Sequence, residues 1–246
     1  MGSFWEHLEV LRGCLLRVLV VTLLAGVVAF CLKEPLFQLV LAPGQAHFFV
    51  YRWMGVEGFT LPLINTGLAE QMMIHLKVAL VAGLIAASPY VLYVLFGFVS
   101  PALYPHEQRY ATRLLVASYA MFFLGMAVCY LLLFPLTVHF LGTYQVSSEV
   151  QNMVSITSYV DTLLMMLLLF GLIFQLPVLA WLMGRFGLLR ASWMQRYRRH
   201  AIVVILTLTA IITPTADMLS LLIVSFPVWM LYELSVLLVR FTERQQ

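Results

Sequence analysis

A series of long apolar runs constrains this chain more than any other feature. Of its 246 residues, 63% are hydrophobic and only 10% are charged, and the mean hydropathy is +0.97. A soluble domain carries about 25% charged residues, whereas a helix that crosses the hydrocarbon core of a membrane needs ~20 predominantly apolar residues. The composition therefore predicts an all-α polytopic membrane protein.

The runs predict one transmembrane domain over residues 1–246 with six spanning helices. The first run follows an amphipathic start, SFWEHLEVLR, without an A-x-A-like cleavage site, and we expect it to be retained as a helix. The fifth run covers only about 20 Å, short of the ~30 Å core. The spans are expected at approximately 13–32, 72–99, 114–141, 160–184, 200–213 and 217–240, with an outer cap over 33–71.

Prolines lie within four of these spans. Pro89 follows Ser88 and is expected to break the second helix there, because proline removes one backbone hydrogen bond. Pro135, Pro177 and Pro227 lie in the third, fourth and sixth spans. Such prolines are common in membrane helices, so they do not by themselves indicate a function.

The basic residues predict the orientation of the chain. Six spans place both termini on one side of the membrane. Of the 14 lysines and arginines, only Lys33, Arg52 and Lys77 fall on the opposite side, which leaves eleven on the side of the termini. The positive-inside rule then places both termini in the cytoplasm.

No catalytic or cofactor motif is visible. The sequence contains no GxxxxGK[ST], GxGxxG, HExxH or GxSxG pattern, and no cofactor, metal or nucleic acid is expected. The three cysteines, Cys14, Cys31 and Cys129, lie singly in apolar surroundings, which argues against a disulfide framework or a zinc site. The sequence favours binding or transport over catalysis.

A short polar hinge, FVSPALYPHEQR over residues 98–109, joins the second and third spans. It contains the carboxylate of Glu107. That carboxylate is either a solvated loop residue or the partner of a cationic ligand, because a carboxylate can accept two parallel hydrogen bonds from one guanidinium group. Glu6 and Glu9 on the amphipathic start could complete an acidic rim for an arginine-bearing peptide.

Three further polar residues lie in or beside the later spans. Glu233 is a carboxylate within the last span, and either it has a function or it pairs with an arginine such as Arg199. Gln175 could pair with a partner helix or with a carbonyl freed by the Pro177 kink. Asp217, after Thr213-Pro214, is expected to cap the sixth helix.

Taken together, these stretches resemble the TatC family, the multispanning receptor of the twin-arginine protein translocase. The resemblance covers essentially the whole chain, and the hinge and the ITPTAD segment are its most specific parts. The matching stretches are FWEHLEVLR, FGFVSPALYPHEQRY, GLIFQLPVL, RRHAIVVILTLTAIITPTADMLS and FPVWMLYE.

The resemblance implies a concave, glove-like bundle of six helices, of which the fifth and sixth are short. It implies a protein that exports folded cargo, drives transport with the proton motive force without ATP, and recognises twin-arginine signal peptides on the cytoplasmic face. It also implies TatA- and TatB-like single-span partners and self-association. The chain is expected in the lipid bilayer of the inner membrane. The start at Met1 favours a bacterium over a chloroplast.

Site residues carry over from the resemblance position by position. Glu107 matches the family's loop glutamate that meets the twin arginines, and its surroundings match at Pro101, Leu103, Tyr104 and His106. Pro43 matches an outer-loop proline. Thr213, Pro214 and Asp217 match the turn between the fifth and sixth helices, near which partner helices are expected.

Two positions depart from the family pattern. The family often reads HLxELR at the start, whereas this chain reads His7-Leu8-Glu9-Val10-Leu11-Arg12. The acid is therefore one residue earlier, which turns it by ~100° around the helix. Glu9 is the weaker of the two candidate signal-binding carboxylates. Some members carry glutamate where this chain has Gln175, and Leu221 replaces a polar residue, so the intramembrane polar cluster is expected to be weaker.

Two other classes of protein remain as alternatives. A proton-coupled solute transporter could use Glu233 and Lys77 as an ion pathway, but such folds often contain inverted repeats, and none is visible. An intramembrane hydrolase would need a nucleophile and a base in motif form, which the sequence lacks.

Overall fold

The structure, a computed structural model, describes residues 4–45, 47–53, 61–99, 108–143, 153–212 and 218–243. Over these residues the chain is almost entirely helical. Its helices are α1 Phe4–Cys31, α2 Lys33–Leu41, α3 Phe49–Trp53, α4 Glu70–Val99, α5 Gln108–Val128, α6 Phe134–Thr143, α7 Ile156–Ile173, α8 Leu176–Arg185, α9 Ala191–Arg196, α10 Arg198–Ile212 and α11 Met218–Glu243. A 3₁₀ turn covers Ala42–Gly44, and two short strands, β1 Leu63–Ile64 and β2 Val154–Ser155, form a parallel pair.

Five segments of the described chain are long and apolar enough to cross a membrane, at Leu8–Cys31, Glu70–Leu95, Leu114–Thr143, Ile156–Arg185 and Ser220–Glu243. The predicted all-α polytopic class is therefore confirmed. Outside these five segments, the longest described helix is α10, which has 15 residues and a length of about 22 Å at ~1.5 Å per residue. Like the predicted fifth span, it is shorter than the ~30 Å hydrocarbon core.

The described chain forms two compact units. The first comprises Met1–Leu41 with Asn65–Ala120, and the second comprises Ala42–Ile64 with Met121–Gln246. One boundary falls within α5, so the first part of this helix belongs to the first unit and its end to the second.

The first unit is built on a close contact between α1 and α4. A Cβ atom added at Gly83 of α4 would lie 2.4 Å from the backbone nitrogen of Gly26 in α1, which is far inside van der Waals contact. About one turn further along α1, His75 stacks on Phe30 with a centroid separation of 4.0 Å. Small residues permit this approach, and close packing is what holds membrane helices together.

Pro89 lies inside α4, and the helix continues through it instead of breaking as expected. Proline cannot donate the hydrogen bond that the carbonyl of Ile85, four residues earlier, would otherwise accept. The hydroxyl of Ser88 donates to that carbonyl at 2.6 Å. The residue beside the proline thus replaces the missing donor.

Two prolines of the second unit, Pro135 and Pro177, are accommodated differently, whereas Pro227 lies inside the continuous helix α11. Before Pro135 the helix widens into a π-helical turn over Cys129–Leu133, in which the amide of Phe134 donates to the carbonyl of Cys129. Before Pro177 the predicted helix over 160–184 divides into α7 and α8 at a turn formed by Phe174 and Gln175. Widening and division both remove the clash between a proline ring and the preceding turn.

The rest of the second unit is organised around α11. The helix α8 packs against it, with the backbone of Gly184 beside Val239, and α9 and α10 also pack against it. The strands pair Leu63 with Val154 and Ile64 with Ser155. This pair ties the segment before α4 to the start of α7.

Candidate functional site

The predicted signal-binding hinge lies outside the described residues. Pro101, Tyr104, His106 and Glu107 fall between the end of α4 at Val99 and the start of α5 at Gln108. Thr213, Pro214 and Asp217 likewise fall between the end of α10 and the start of α11. For each of these two segments, the structure describes only the two flanking helices, α4 and α5 for the hinge and α10 and α11 for the turn.

Glu9 lies in the second turn of α1 and is exposed. Its neighbours in sequence, Leu8 and Val10, are also exposed, at 40% and 53% of their full accessibility. The helix is continuous from Phe4 into the first spanning segment, so Glu9 is held rigidly just before that segment becomes apolar. An exposed carboxylate at this position can accept hydrogen bonds from a ligand.

Glu233 forms an ion pair with Arg198. The Arg198 Nη2 atom donates to Glu233 Oε2 at 2.5 Å, with about a quarter of the Glu233 side chain exposed. Because Arg198 is the first residue of α10, the pair joins the start of that helix to α11. An arginine partner for this carboxylate was one of the two sequence interpretations, and the residue is Arg198 instead of the suggested Arg199. The pair offsets the cost of a carboxylate within an apolar helix.

Gln175 lies in the turn that separates α7 from α8. Its side chain is buried, with 9% of the residue exposed. The backbone N–H of Gln175 donates to the backbone carbonyl of Leu172 at 2.9 Å. The backbone carbonyl of Gln175 accepts from the backbone N–H of Leu179, also at 2.9 Å. The residue therefore links two helices through its backbone, at the point that Pro177 forces the chain to turn.

A buried hydroxyl pair joins α10 to α11 and was not predicted from the sequence. Thr209 is fully buried and its hydroxyl lies 3.4 Å from that of Ser225. Each hydroxyl also has an acceptor within its own helix, the carbonyl of Ile205 for Thr209 and the carbonyl of Leu221 for Ser225, and a hydroxyl donates to one acceptor at a time. Helical spacing alone would identify these internal bonds, but only the packing of the two helices shows that the hydroxyls meet.

Pro43 lies in the buried 3₁₀ turn, where its carbonyl accepts a hydrogen bond from Tyr51 at 2.6 Å. The same hydroxyl lies 3.4 Å from the carbonyl of Pro135. Tyr51 is completely buried, and this burial raises the pKa of its hydroxyl group. A tyrosine that sequence analysis did not single out thus fixes the turn against α6.

Among the described residues, no group of three or more histidine, cysteine, aspartate or glutamate side chains could hold a metal ion. Two described carboxylates of the second unit, Glu233 and Glu243, each contact a group on another helix. Glu243 accepts a hydrogen bond from the amide of Ala191 at 2.8 Å. This arrangement is typical of helix-to-helix attachment.

The chain is similar to known proteins over nearly its whole length. A family model described as "Sec-independent protein translocase protein (TatC)" matches residues 6–227. A TatC protein from Desulforapulum autotrophicum is 33% identical over 236 residues, covering 96% of this chain and 83% of the relative. A TatC protein from Deinococcus radiodurans is 32% identical over 239 residues, covering 97% and 86%.

Solved structures agree with the sequence comparisons. A crystal structure of a twin-arginine translocase receptor, TatC, superposes with a TM-score of 0.82 and 28% identity, and the match covers 97% of this chain and 100% of that chain. The family model spans the hinge over 98–109, the turn at Thr213-Pro214 and the hydroxyl pair between α10 and α11.

Proposed function

The chain belongs to the TatC family of Sec-independent protein translocases, and from this premise we propose that it is the receptor that recognises twin-arginine signal peptides. The observation that carries the proposal is the match of the entire fold, at a TM-score of 0.82, to a twin-arginine translocase receptor. The chain is a multi-pass membrane protein and a transport component, not an enzyme.

Glu107 is the proposed principal acceptor of the signal arginines. Its carboxylate can accept two parallel, charge-assisted hydrogen bonds from one guanidinium group, whereas a lysine ammonium cannot reproduce that geometry. Pro101, Tyr104 and His106, its neighbours in the sequence, are the other proposed signal-binding residues. The hinge joins two spanning helices, which supports a position at the membrane surface where a soluble peptide can reach it.

Glu9 is the proposed second acceptor. It is exposed on a continuous helix, in the first turn of the spanning segment Leu8–Cys31, and α1 belongs to the same compact unit as α4, the helix that the hinge follows in sequence. A second carboxylate on this unit would let each arginine of the pair meet its own partner. The altered register at Val10 makes this contact the weaker of the two.

The proposed location is the inner membrane of a bacterium, with both termini in the cytoplasm. Eleven of the 14 basic residues fall on the side of the termini in the six-span arrangement, which is the bias that the positive-inside rule describes. The hinge then faces the cytoplasm, where folded cargo with its signal peptide is found. Residues 33–71 face the opposite side.

The proposed partners are TatA- and TatB-like single-span proteins and further copies of this chain, in a lipid bilayer. The short helix α10 supports a docking position, because its 15 residues leave part of the hydrocarbon thickness uncovered. Thr213, Pro214 and Asp217 follow that helix in the sequence, and Gln175 is the proposed polar contact for a partner helix. The proton motive force drives transport, and no cofactor or nucleic acid takes part.

Binding of a signal peptide to the purified chain in detergent tests the receptor function. Titration of an Arg-Arg peptide and its Lys-Lys variant should show binding of the first alone, and Glu107→Gln should abolish it. The matched control is Glu34→Gln, the same neutralisation at an exposed carboxylate in the first turn of α2. Equal binding of both peptides, or unchanged binding by Glu107→Gln with an unaltered elution volume and helix content, would contradict the proposal.

A further inference from the structure

We propose that the segment from Arg190 to His200 forms a binding site for anionic phospholipid headgroups, which we call the basic platform. It consists of α9, the first turn of α10 and the residues that join them. The proposal concerns the lipid that surrounds the chain, and it does not depend on signal recognition or on the sidedness of the membrane.

The first step of the argument is that α9 is held against α11 by hydrogen bonds and apolar packing. The amide of Ala191 donates to the Glu243 carboxylate at 2.8 Å, and the hydroxyl of Tyr232 donates to the carbonyl of Met194 at 2.7 Å. Ala191 is buried in a cluster with Ala180 and Val239. One face of this short helix is therefore occupied, and the other face is presented outward.

The second step is the excess of positive charge on the outward face. The sequence from Arg185 to His200 contains no aspartate or glutamate. The two carboxylates of α11 that reach this region are both engaged, Glu233 by Arg198 and Glu243 by the amide of Ala191. Three arginines of the platform remain exposed to solvent or lipid, namely Arg190, Arg196 and Arg199. They are the cations available to a ligand.

The third step concerns the depth of the basic platform in the bilayer, which we place in the headgroup region. It lies between the end of the spanning segment Ile156–Arg185 and the start of the apolar helix α10. Trp193 and Tyr197 are 55% and 56% exposed, and aromatic side chains of this kind are enriched where spans meet the headgroup region. Trp193 and Arg196 are three residues apart, so they share one face of α9.

Charge complementarity identifies the occupant. Exposed arginines beside interfacial aromatics, at the point where helices leave the hydrocarbon, suit a phosphate that is tethered to acyl chains. Each arginine near an anionic membrane surface strengthens binding about fivefold. A zwitterionic headgroup carries its own ammonium group, and it would gain much less from this site.

Quenching of Trp193 fluorescence by brominated lipids tests the proposal on the full chain reconstituted in phosphatidylcholine vesicles. The difference between the wild-type signal and that of Trp193→Phe isolates this residue from the other four tryptophans. Brominated phosphatidylglycerol, at a small mole fraction, should quench Trp193 more strongly than brominated phosphatidylcholine at the same fraction. The preference should weaken as salt is added.

Matched charge variants complete the test. Arg196→Gln with Arg199→Gln should reduce the preference for phosphatidylglycerol about fivefold for each arginine. The control is Arg12→Gln with Arg17→Gln, which removes two exposed arginines from α1 and should leave the preference unchanged. Equal quenching by the two lipids, an equal effect of both double variants, or displacement by soluble glycerol phosphate would overturn the assignment to a membrane lipid.

Discussion

The contact between Gly83 and Gly26 makes an asymmetric prediction about two glycines that face each other. A Cβ atom at Gly83 would lie 2.4 Å from the nitrogen and 2.5 Å from the Cα atom of Gly26. A Cβ atom at Gly26 would instead have its nearest neighbour, the carbonyl oxygen of Ala79, at 3.6 Å, which is ordinary contact. The same methyl group should therefore be tolerated on α1 and rejected on α4.

The size of the effect follows from these distances. Carbon atoms are at their optimal separation at about 3.5–4.0 Å, so Gly83→Ala requires the two backbones to separate by roughly 1 Å. Neither neighbour is a flexible side chain, so only movement of a whole helix relieves the clash. Overpacking of this kind costs about 1–3 kcal/mol, and packing is the main force that holds membrane helices together. Gly26→Ala should be neutral, or stabilising by up to about 1 kcal/mol through helix propensity.

Unfolding in mixed micelles, followed by circular dichroism during titration with a denaturing detergent, measures both substitutions. Gly97→Ala is the matched control, because Gly97 lies on the same helix as Gly83 and an added Cβ atom meets nothing within 4 Å. We expect the order of stability to be Gly26→Ala and Gly97→Ala at or above wild type, with Gly83→Ala clearly below. Equal stability of all three variants would refute the close approach of α1 and α4.

Three further predictions concern hydrogen bonds and charge. Ser88→Ala should cost about 1 kcal/mol in the same unfolding assay, because it leaves the carbonyl of Ile85 beside the proline without a donor; no loss would contradict the replacement role. Tyr51→Phe should cost about 1–3 kcal/mol by leaving the buried carbonyl of Pro43 unpaired. Since burial raises the pKa of Tyr51, its contribution is fully present below pH about 10, where the unfolded tyrosine titrates, and is lost as the pH rises above it; the variant should therefore show less alkaline destabilisation than wild type. Glu233→Gln should cost less than about 1 kcal/mol, because its ion pair is partly exposed; a loss above 3 kcal/mol would show a buried pair.

The sequence predicted the long apolar helices because hydropathy is additive along the chain. Every residue of an apolar run contributes to the same transfer free energy, so the spans are visible without any knowledge of packing. The short fifth helix was visible for the same reason, since Pro214 limits it at one end and the basic residues limit it at the other. The structure has α10 over Arg198–Ile212.

The response of each helix to its proline could not be predicted, because it depends on which donor or space is nearby. Ser88 fills the gap at Pro89 and keeps α4 continuous. At Pro135 the chain widens into a π-helical turn, and at Pro177 it divides into two helices. A proline in the sequence indicates a missing hydrogen bond, but the three outcomes are decided by local side chains and by tertiary packing.

The partners of polar side chains on neighbouring helices could not be predicted from the sequence either. The sequence left two interpretations of Glu233, a functional carboxylate or one paired with an arginine, because an isolated carboxylate is costly in an apolar helix. It could not distinguish Arg198 from Arg199, since adjacent residues point ~100° apart on a helix and the rotation of α10 against α11 decides between them. The pairing of Thr209 with Ser225 was missed because each hydroxyl alone is satisfied within its own helix.

Carboxylates that already accept hydrogen bonds within the chain are less available to bind a signal peptide. Glu233 is paired with Arg198, Glu243 accepts the amide of Ala191, and Glu70 accepts the amides of Thr66 and Gly67. The bonds of Glu233 and Glu243 attach one helix to another, and those of Glu70 fix the turn before α4, so binding a guanidinium group there would require breaking a structural contact. Glu9 is exposed on α1 and carries no such attachment among the described residues. The cost of recruiting Glu9 is therefore small, which favours it over the carboxylates of α11 as the second acceptor beside Glu107, despite its shifted register.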